Sequence, residues 1–161
     1  MGKLVSAEEL SRLAADLKKQ GKRIVTTNGV FDILHVGHAQ MLSETKARGD
    51  VLIVGINSDA SAKQNKGDKR PVNNEKDRAG LLCALSCVDY VYIFPEKGAD
   101  RFIELVKPNI HTKAGQYTME QVMAKEGSVV VKHGGKVELV QFLPGYSSTT
   151  AIERVLEAYR P

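Results

Sequence analysis

The chain has 161 residues, of which 42% are hydrophobic and 26% are charged, and its formal net charge is +4. This composition is ordinary for a globular protein and excludes a fibrous or wholly disordered chain. No apolar run approaches the roughly 18 residues needed to cross a membrane, the amino terminus lacks the hydrophobic region of a signal peptide, and the basic residues are scattered among acidic ones. We therefore expect a single cytoplasmic domain over residues 1–161, with neither a membrane nor a nucleic acid as partner.

Segments with the spacing of helices and of strands alternate along the chain. Leucine and alanine recur every three or four positions after Ser6, where Glu9 can complete a capping box, whereas VLIVGI is a continuous apolar run typical of a buried parallel strand. In chain order the pattern predicts a helix within residues 1–21, a strand over 22–27, a helix over 39–48, a strand over 51–56, a helix over 74–86, a strand over 90–94, a helix over 99–107, a short strand near Ile110, a strand over 137–142 and a helix after Ser147.

The segment over 118–133 is ambiguous. Val129 to Val131 favour a strand locally, whereas Gly134-Gly135 suits the end of a helix, and we favour the helix. Strands that alternate with helices predict a Rossmann-like, doubly wound α/β fold, in which a mostly parallel sheet carries helices on both faces. We expect the core of this fold over residues 22–158.

The two cysteines, Cys83 and Cys87, lie four positions apart in a segment with the pattern of a helix. Buried, reduced thiols are favoured here over a disulfide or a metal-binding pair. We expect no metal ligands among the side chains.

The sequence TNGVFDILHVGH, residues 27–38, follows a predicted strand and leads into a helix. Ligands of open α/β sheets bind at the carboxyl ends of strands, and the free amides of a helix amino terminus attract phosphate. Gly37 lets that backbone approach a ligand closely. His35 and His38 are three positions apart, so both imidazoles can reach one phosphoryl group. Two unrelated histidines near a loop are the alternative, but the strand, glycine and helix context favours a phosphate site.

GVFDILHVGH resembles the G-x-F-D-x-x-H-x-G-H signature of a nucleotidyltransferase superfamily that contains cytidylyltransferases and the pantetheine-phosphate and nicotinamide-nucleotide adenylyltransferases. VGINSDAS (54–61), KGDKRPVN (66–73) and SSTTAI (147–152) further resemble the heptose-1-phosphate adenylyltransferase family. The resemblance extends over about residues 22–158.

The resemblance implies that AMP passes from ATP to a sugar 1-phosphate, expected to be D-glycero-β-D-manno-heptose 1-phosphate, which gives pyrophosphate and ADP-heptose for bacterial lipopolysaccharide. It implies Mg²⁺ bound with the nucleotide, no covalent protein intermediate, and a homo-oligomer, either a dimer or larger. Members of the family occur as separate enzymes or fused to a sugar kinase, and this chain resembles the separate form.

The same resemblance suggests roles for individual residues. The expected catalytic residues are His35, His38 and Lys66, the last in a polar loop where a solvated lysine is the alternative. Expected nucleotide contacts are Asn28, Gly29, Val30, Phe31, Gly37, His38, Ser148, Thr149 and Thr150, although the three hydroxyl residues can also simply cap a helix. Expected acceptor contacts are Asp32, Arg70, Lys113 and Gln116, with Asp32 in a supporting role. Arg78 either binds phosphate or forms a structural salt bridge.

Two segments bear on the choice of substrates. The heptose enzymes usually carry Lys-Gly-Gly-Asp-Tyr where this chain has Lys113-Ala114-Gly115-Gln116-Tyr117, and glutamine cannot supply the negative charge of the aspartate. The sequence LPGYS over 143–147 differs from the Arg-Thr-Glu-Gly-Ile of glycerol-3-phosphate cytidylyltransferases, which favours ATP over CTP. The alternatives are a cytidylyltransferase or related enzyme acting on a polyol phosphate such as glycerol 3-phosphate, and a non-catalytic nucleotide-binding module.

Overall fold

A parallel sheet of six strands forms the centre of the computed structural model, which describes residues 1–115 and 117–160. Within those residues the strands are β1 (Lys3–Val5), β2 (Ile24–Gly29), β3 (Val51–Asn57), β4 (Tyr90–Phe94), β5 (Ile110–Ala114) and β6 (Lys136–Val140). Their order is β1-β4-β3-β2-β5-β6, and each neighbouring pair is parallel. The register sets Thr27 of β2 beside Val54 of β3 and Thr112 of β5, so the carboxyl ends of these three strands lie together.

Helices connect the strands, and their bounds are α1 (Ala7–Lys19), α2 (Val36–Lys46), α3 (Asp59–Lys66), α4 (Glu75–Ala84), α5 (Asp100–Val106), α6 (Met119–Val122), α7 (Ser128–Lys132) and α8 (Ser148–Ala158). Local signals start several of them. Ser6 and Glu9 form the predicted capping box of α1, and Asn74 caps α4 by accepting hydrogen bonds from two backbone amides.

Apolar side chains fill a layer on each face of the sheet. One layer contains Leu10 of α1, Ile24 of β2 and Phe102 of α5, and the other contains Val25 of β2 and Leu42 of α2. Ile24 and Val25 are neighbours in sequence but belong to opposite layers, because successive side chains of a strand point to opposite faces. The predicted Rossmann-like, doubly wound α/β fold with helices on both faces is confirmed.

Two elements, β1 and α3, are not predicted by the sequence pattern. β1 has only three residues and pairs with the distant β4, so no local periodicity reveals it. α3 buries only Ser61 and Ala62, and a helix with so little apolar surface lacks the usual hydrophobic stripe. The expectation that Lys66 lies in a polar loop is therefore wrong, because Lys66 is the last residue of α3.

The segment over 118–133 is helical, as favoured, but it is interrupted. A π-helical turn, Met123–Gly127, joins α6 to α7, and Lys125 within it has non-helical dihedral angles of φ −119° and ψ −127°. Such turns insert an extra residue and change the direction of nearby side chains.

Cys83 and Cys87 are free thiols, as expected, but they are half-buried rather than buried. Burial raises the pKa of Cys83, which keeps this thiol protonated and weakly nucleophilic. Among the helices of residues 1–115 and 117–160, none combines the length and the apolar character needed to cross a bilayer.

Candidate active site at the carboxyl ends of β2 and β5

The carboxyl ends of β2 and β5 border a cavity of about 400 Å³. β2 lies between β3 on one side and β5 on the other, so the strand order reverses at this point. In doubly wound sheets such a reversal opens a crevice in which ligands bind. Residues at or just after four strand ends line the cavity, among them Phe31, Asn57, Lys97 and Lys113.

A buried carboxylate fixes the loop that follows β2. Asp32 is 2% exposed; it pairs with Arg70 and accepts hydrogen bonds from the backbone amides of Val72 at 2.7 Å and Asn73 at 3.0 Å. Phe31, just before it, has a φ of 50°, a left-handed conformation that is uncommon for a residue with a side chain. The network around Asp32 holds the chain in this turn as it enters α2.

Arg78 has a structural role. Its side chain is fully buried and donates hydrogen bonds to the carbonyl oxygens of Val30 at 2.6 Å, Asn57 at 2.8 Å and Asn73 at 3.0 Å, and to the carboxylate of Asp59 at 2.8 Å. These contacts tie the ends of β2 and β3 to the start of α4. These contacts favour a structural role for Arg78 over phosphate binding.

His35 and His38 stack at the start of α2. Their ring centroids are 3.8 Å apart, with 26° between the ring planes. His38 lines the cavity, whereas His35 lies behind it towards Tyr146. Gly37 permits this arrangement, because a Cβ atom at that position would lie 3.1 Å from the His35 ring.

Three nitrogens of this histidine pair are buried without a partner. Within residues 1–115 and 117–160, His35 Nδ1, His35 Nε2 and His38 Nδ1 have no hydrogen bond. Most buried polar groups in proteins are hydrogen-bonded, so unsatisfied ones at a cavity indicate where a ligand could bind. His38 therefore offers a donor to a group that enters the cavity, with His35 stacked behind it.

Burial, together with a smaller effect of the neighbouring His35, lowers the pKa of His38 to about 4. Burial also lowers the pKa of His35. Both imidazoles are consequently neutral at pH 7, and each carries one N–H that can donate to an oxygen. A bound anion would favour their protonated forms.

Four lysines line the cavity: Lys66, Lys97, Lys113 and Lys125. Lys113 has a side chain that is 12% exposed, and its Nζ lies 2.5 Å from both Asn28 Oδ1 and Glu126 Oε1. Burial acts to raise the pKa of Glu126, but the Lys113 ammonium outweighs this effect and holds the pKa below its ordinary value. The cavity therefore has a strongly cationic wall that suits phosphate groups.

The amino terminus of α8 lies against the same loop. Ser147 caps α8 by accepting a hydrogen bond from the Thr150 amide at 2.9 Å. The Ser148 hydroxyl lies 3.3 Å from both the amide nitrogen and the carbonyl oxygen of Ile33. The starts of α2 and α8 therefore approach each other, and both present free amides near the histidines.

A comparison with models of protein families shows which family the chain belongs to. The cytidylyltransferase-like family model matches residues 26–154. The chain belongs to the cytidylyltransferase-like family. The resemblance carried by GVFDILHVGH is thereby confirmed.

The curated relatives of this cytidylyltransferase-like chain are longer proteins. The bifunctional protein HldE of Geobacter metallireducens is 48% identical over 157 residues, which is 98% of this chain and 32% of that protein. HldE of Nitratiruptor is 50% identical over 148 residues, which is 92% of this chain and 31% of that protein. The chain thus spans about a third of the length of the curated relatives that it matches.

Two solved structures share the cytidylyltransferase-like architecture. The lipopolysaccharide core biosynthesis protein of Thermoplasma volcanium has a TM-score of 0.63 and 32% identity, over 76% of this chain and 98% of that one. Pantoate-beta-alanine ligase of Francisella tularensis, complexed with beta-gamma ATP and beta-alanine, has a TM-score of 0.65 and 18% identity, over 99% of this chain and 78% of that one. The second likeness concerns the fold alone. Membership of the cytidylyltransferase-like family indicates nucleotidyltransferase activity.

The structure of this cytidylyltransferase-like chain gathers about half of the site residues expected from the sequence. Those that line the cavity are Asn28, Gly29, Val30, Phe31, His38, Lys66 and Lys113. His35 and Gly37 lie directly behind His38, and Ser148, Thr149 and Thr150 form the first turn of α8. Asp32 and Arg70 pair with each other and do not contribute to the lining. Gln116 lies outside the residues that the structure describes.

Several lining residues are missed by sequence reasoning. Lys97 follows β4 and lines the cavity. Ligands of open α/β sheets bind at the carboxyl ends of strands, so applying this strand-end rule to β4 as well as to β2 could have identified Lys97 from the sequence. Lys125 and Glu126 carry no such signal, because the π-helical turn that places them follows from no local pattern. Phe142 lies two residues after the end of β6, so the same strand-end rule could have found it.

Proposed function

We propose that this chain transfers AMP from ATP to D-glycero-β-D-manno-heptose 1-phosphate, giving ADP-heptose and pyrophosphate. The observation that carries the proposal is the stacked pair His35 and His38, whose buried nitrogens lack partners beside a lysine-lined cavity. The name of the Thermoplasma protein supports a substrate of lipopolysaccharide core synthesis. The reaction would take place in the cytoplasm, where ATP is available.

In the proposed reaction an oxygen of the sugar phosphate attacks the α-phosphorus of ATP. A new P–O bond forms as the bond to the β-phosphate bridging oxygen breaks, and pyrophosphate leaves. Because the sugar phosphate is already ionised, no general base is needed. The chain's contribution is alignment of two anions and stabilisation of the charge that develops on the phosphoryl oxygens.

His38 would donate to the α-phosphate from the cavity wall, with His35 stacked behind it. The free amides of α2 would assist, and Ser148 to Thr150 at the start of α8 would hold the phosphates of the nucleotide. Lys66 and Lys113 would neutralise the remaining phosphate charge. Asp32 and Arg70 would act indirectly, by fixing the loop that carries the histidines.

Mg²⁺ would arrive with the triphosphate and neutralise its oxygens. Within the described residues no group of three or more histidine, cysteine or acidic side chains is placed to hold a metal ion, and the cavity lining there is dominated by lysines. This donor set fits an ion carried by the nucleotide's own oxygens.

We also propose that the chain forms a homo-oligomer. Val155 and Leu156 of α8 and its cap residue Tyr159 are 58%, 61% and 84% exposed. Tyr159 follows the other two by four and three positions, which places the three side chains on one face. Light scattering during gel filtration should show a dimer or larger species, and Leu156→Glu should reduce its mass. Arg154→Glu, a change on the opposite face, is the control. A monomeric mass for the unmodified protein would contradict this proposal.

The transfer itself is tested by incubating the chain with Mg²⁺, ATP and heptose 1-phosphate and measuring pyrophosphate and ADP-heptose. Parallel reactions with CTP, and with glycerol 3-phosphate as acceptor, distinguish the cytidylyltransferase alternative that the family description leaves open. Nucleotide binding without pyrophosphate release on either acceptor would contradict the enzymatic function and would favour a binding module.

A further inference from the structure

Glu126 supplies the single carboxylate in the cavity lining among the described residues. It lies in the π-helical turn, and its side chain is only 7% exposed. Gly127 allows this turn, because a Cβ atom there would lie 2.8 Å from the carbonyl oxygen of Val122. The turn therefore positions a buried acidic group where a regular helix would direct the side chain elsewhere.

The position of Glu126 is unusual for a site that binds phosphates. A carboxylate repels phosphate oxygens, and in a partly buried cavity that repulsion is stronger than in water. Its pairing with Lys113 compensates its charge, but a buried ion pair gives little net stability by itself. A carboxylate in such a cavity is useful when it faces a hydrogen-bond donor of the ligand.

The Glu126 carboxylate has acceptor sites left for such a donor. An ionised carboxylate has about four lone-pair sites, and Lys113 approaches Oε1 while also contacting Asn28 at 2.5 Å. The lysine thus holds the carboxylate in place without using all of its acceptor sites. Sugar and polyol hydroxyl groups are donors that match the remaining sites.

We propose that Glu126 accepts hydrogen bonds from hydroxyl groups of the acceptor, so that the cavity selects a polyhydroxylated phosphate over a bare phosphate. This inference rests on the proposed transfer reaction and assigns the hydroxyl-binding part of the acceptor site. ATP also carries ribose hydroxyls and its proposed contact His38 lines the same cavity, so binding of an ATP analogue is measured beside binding of the acceptors.

The test is a binding titration by calorimetry that does not depend on turnover. The probes are heptose 1-phosphate, glycerol 3-phosphate, inorganic phosphate and a non-hydrolysable ATP analogue. Glu126→Gln should weaken the sugar or polyol phosphate about tenfold or more, because a hydrogen bond to a charged acceptor is lost. Inorganic phosphate and the ATP analogue should bind at least as tightly as they bind the unmodified protein, because the substitution removes a charge that repels phosphate.

Two further variants complete the design. Glu126→Asp keeps the charge beside Lys113 but withdraws the carboxylate by about 1.5 Å, so it should also lose sugar phosphate affinity while keeping the fold. Glu120→Gln changes an exposed acidic residue of α6 and is the matched control. Thermal unfolding and binding of the ATP analogue show that each variant is folded.

The outcomes separate this inference from the proposed reaction. Unchanged sugar phosphate affinity in Glu126→Asp or in folded Glu126→Gln overturns the inference, as does an equal loss of affinity for inorganic phosphate or for the ATP analogue. Failure of both acceptors to bind the unmodified protein also overturns it. Selective loss of sugar phosphate binding supports it, even if no transfer is detected, in which case only the proposed reaction fails.

Discussion

Replacing His38 by alanine should slow the transfer reaction while leaving the protein folded. The His38 ring lines the cavity, stacks on His35 at 3.8 Å and has a buried Nδ1 with no partner within residues 1–115 and 117–160. The substitution therefore removes no hydrogen bond of the described structure. It removes the donor that we propose for the α-phosphate.

The expected loss is about 10²-fold to 10³-fold in kcat, or about 2.7–4 kcal/mol, which is the effect of removing one preorganised donor from a charge-stabilising site. Because that interaction forms mainly in the transition state, kcat and kcat/KM should fall together. Loss of packing against His35 and Phe31 should lower Tm by only a few degrees.

The measurement is pyrophosphate release at saturating ATP and acceptor, with thermal unfolding of the same samples. His133→Ala is the matched control, because His133 also has a buried nitrogen without a partner in the described residues but does not line the cavity. Near-normal turnover of His38→Ala, or an equal loss in His133→Ala, would refute the role assigned to His38.

The remaining predictions concern stability. The pKa of His38 is about 4 in the folded protein and about 6.5 in the unfolded chain, so the unfolded state binds the proton first as the pH falls. The free energy of unfolding should therefore fall by on the order of 3 kcal/mol between pH 7 and pH 4. Urea unfolding should show this decrease, and an unchanged pH dependence in His38→Ala would contradict it. Arg78→Met should cost about 3 kcal/mol, because the carbonyl oxygen of Val30 and other acceptors lose a buried donor; a loss below about 1 kcal/mol in urea unfolding would disagree. Gly55→Ala should cost about 1–3 kcal/mol by overpacking, because its Cβ would lie 2.7 Å from the Phe102 ring; an unchanged Tm would show that the ring can move.

The alternation of helical and extended patterns was enough to predict the fold class. The two elements that this alternation missed are β1 and α3, which lack such a pattern. β1 is defined by pairing with β4, and α3 is polar enough that its helical conformation depends on its cap at Ser58 and its contacts rather than on an apolar stripe. The pairing of β1 with β4 and the tertiary contacts of α3 are not visible in a local window of sequence.

The candidate site divides in the same way. GVFDILHVGH by itself predicted a phosphate site after β2, because ligands of open α/β sheets bind at strand ends and helix amino termini attract phosphate. Only the tertiary structure turned Asp32 and Arg70 towards each other and placed Glu126 beside Lys113. These placements depend on the strand order and on the π-helical turn, which arise from the packing of segments distant in sequence.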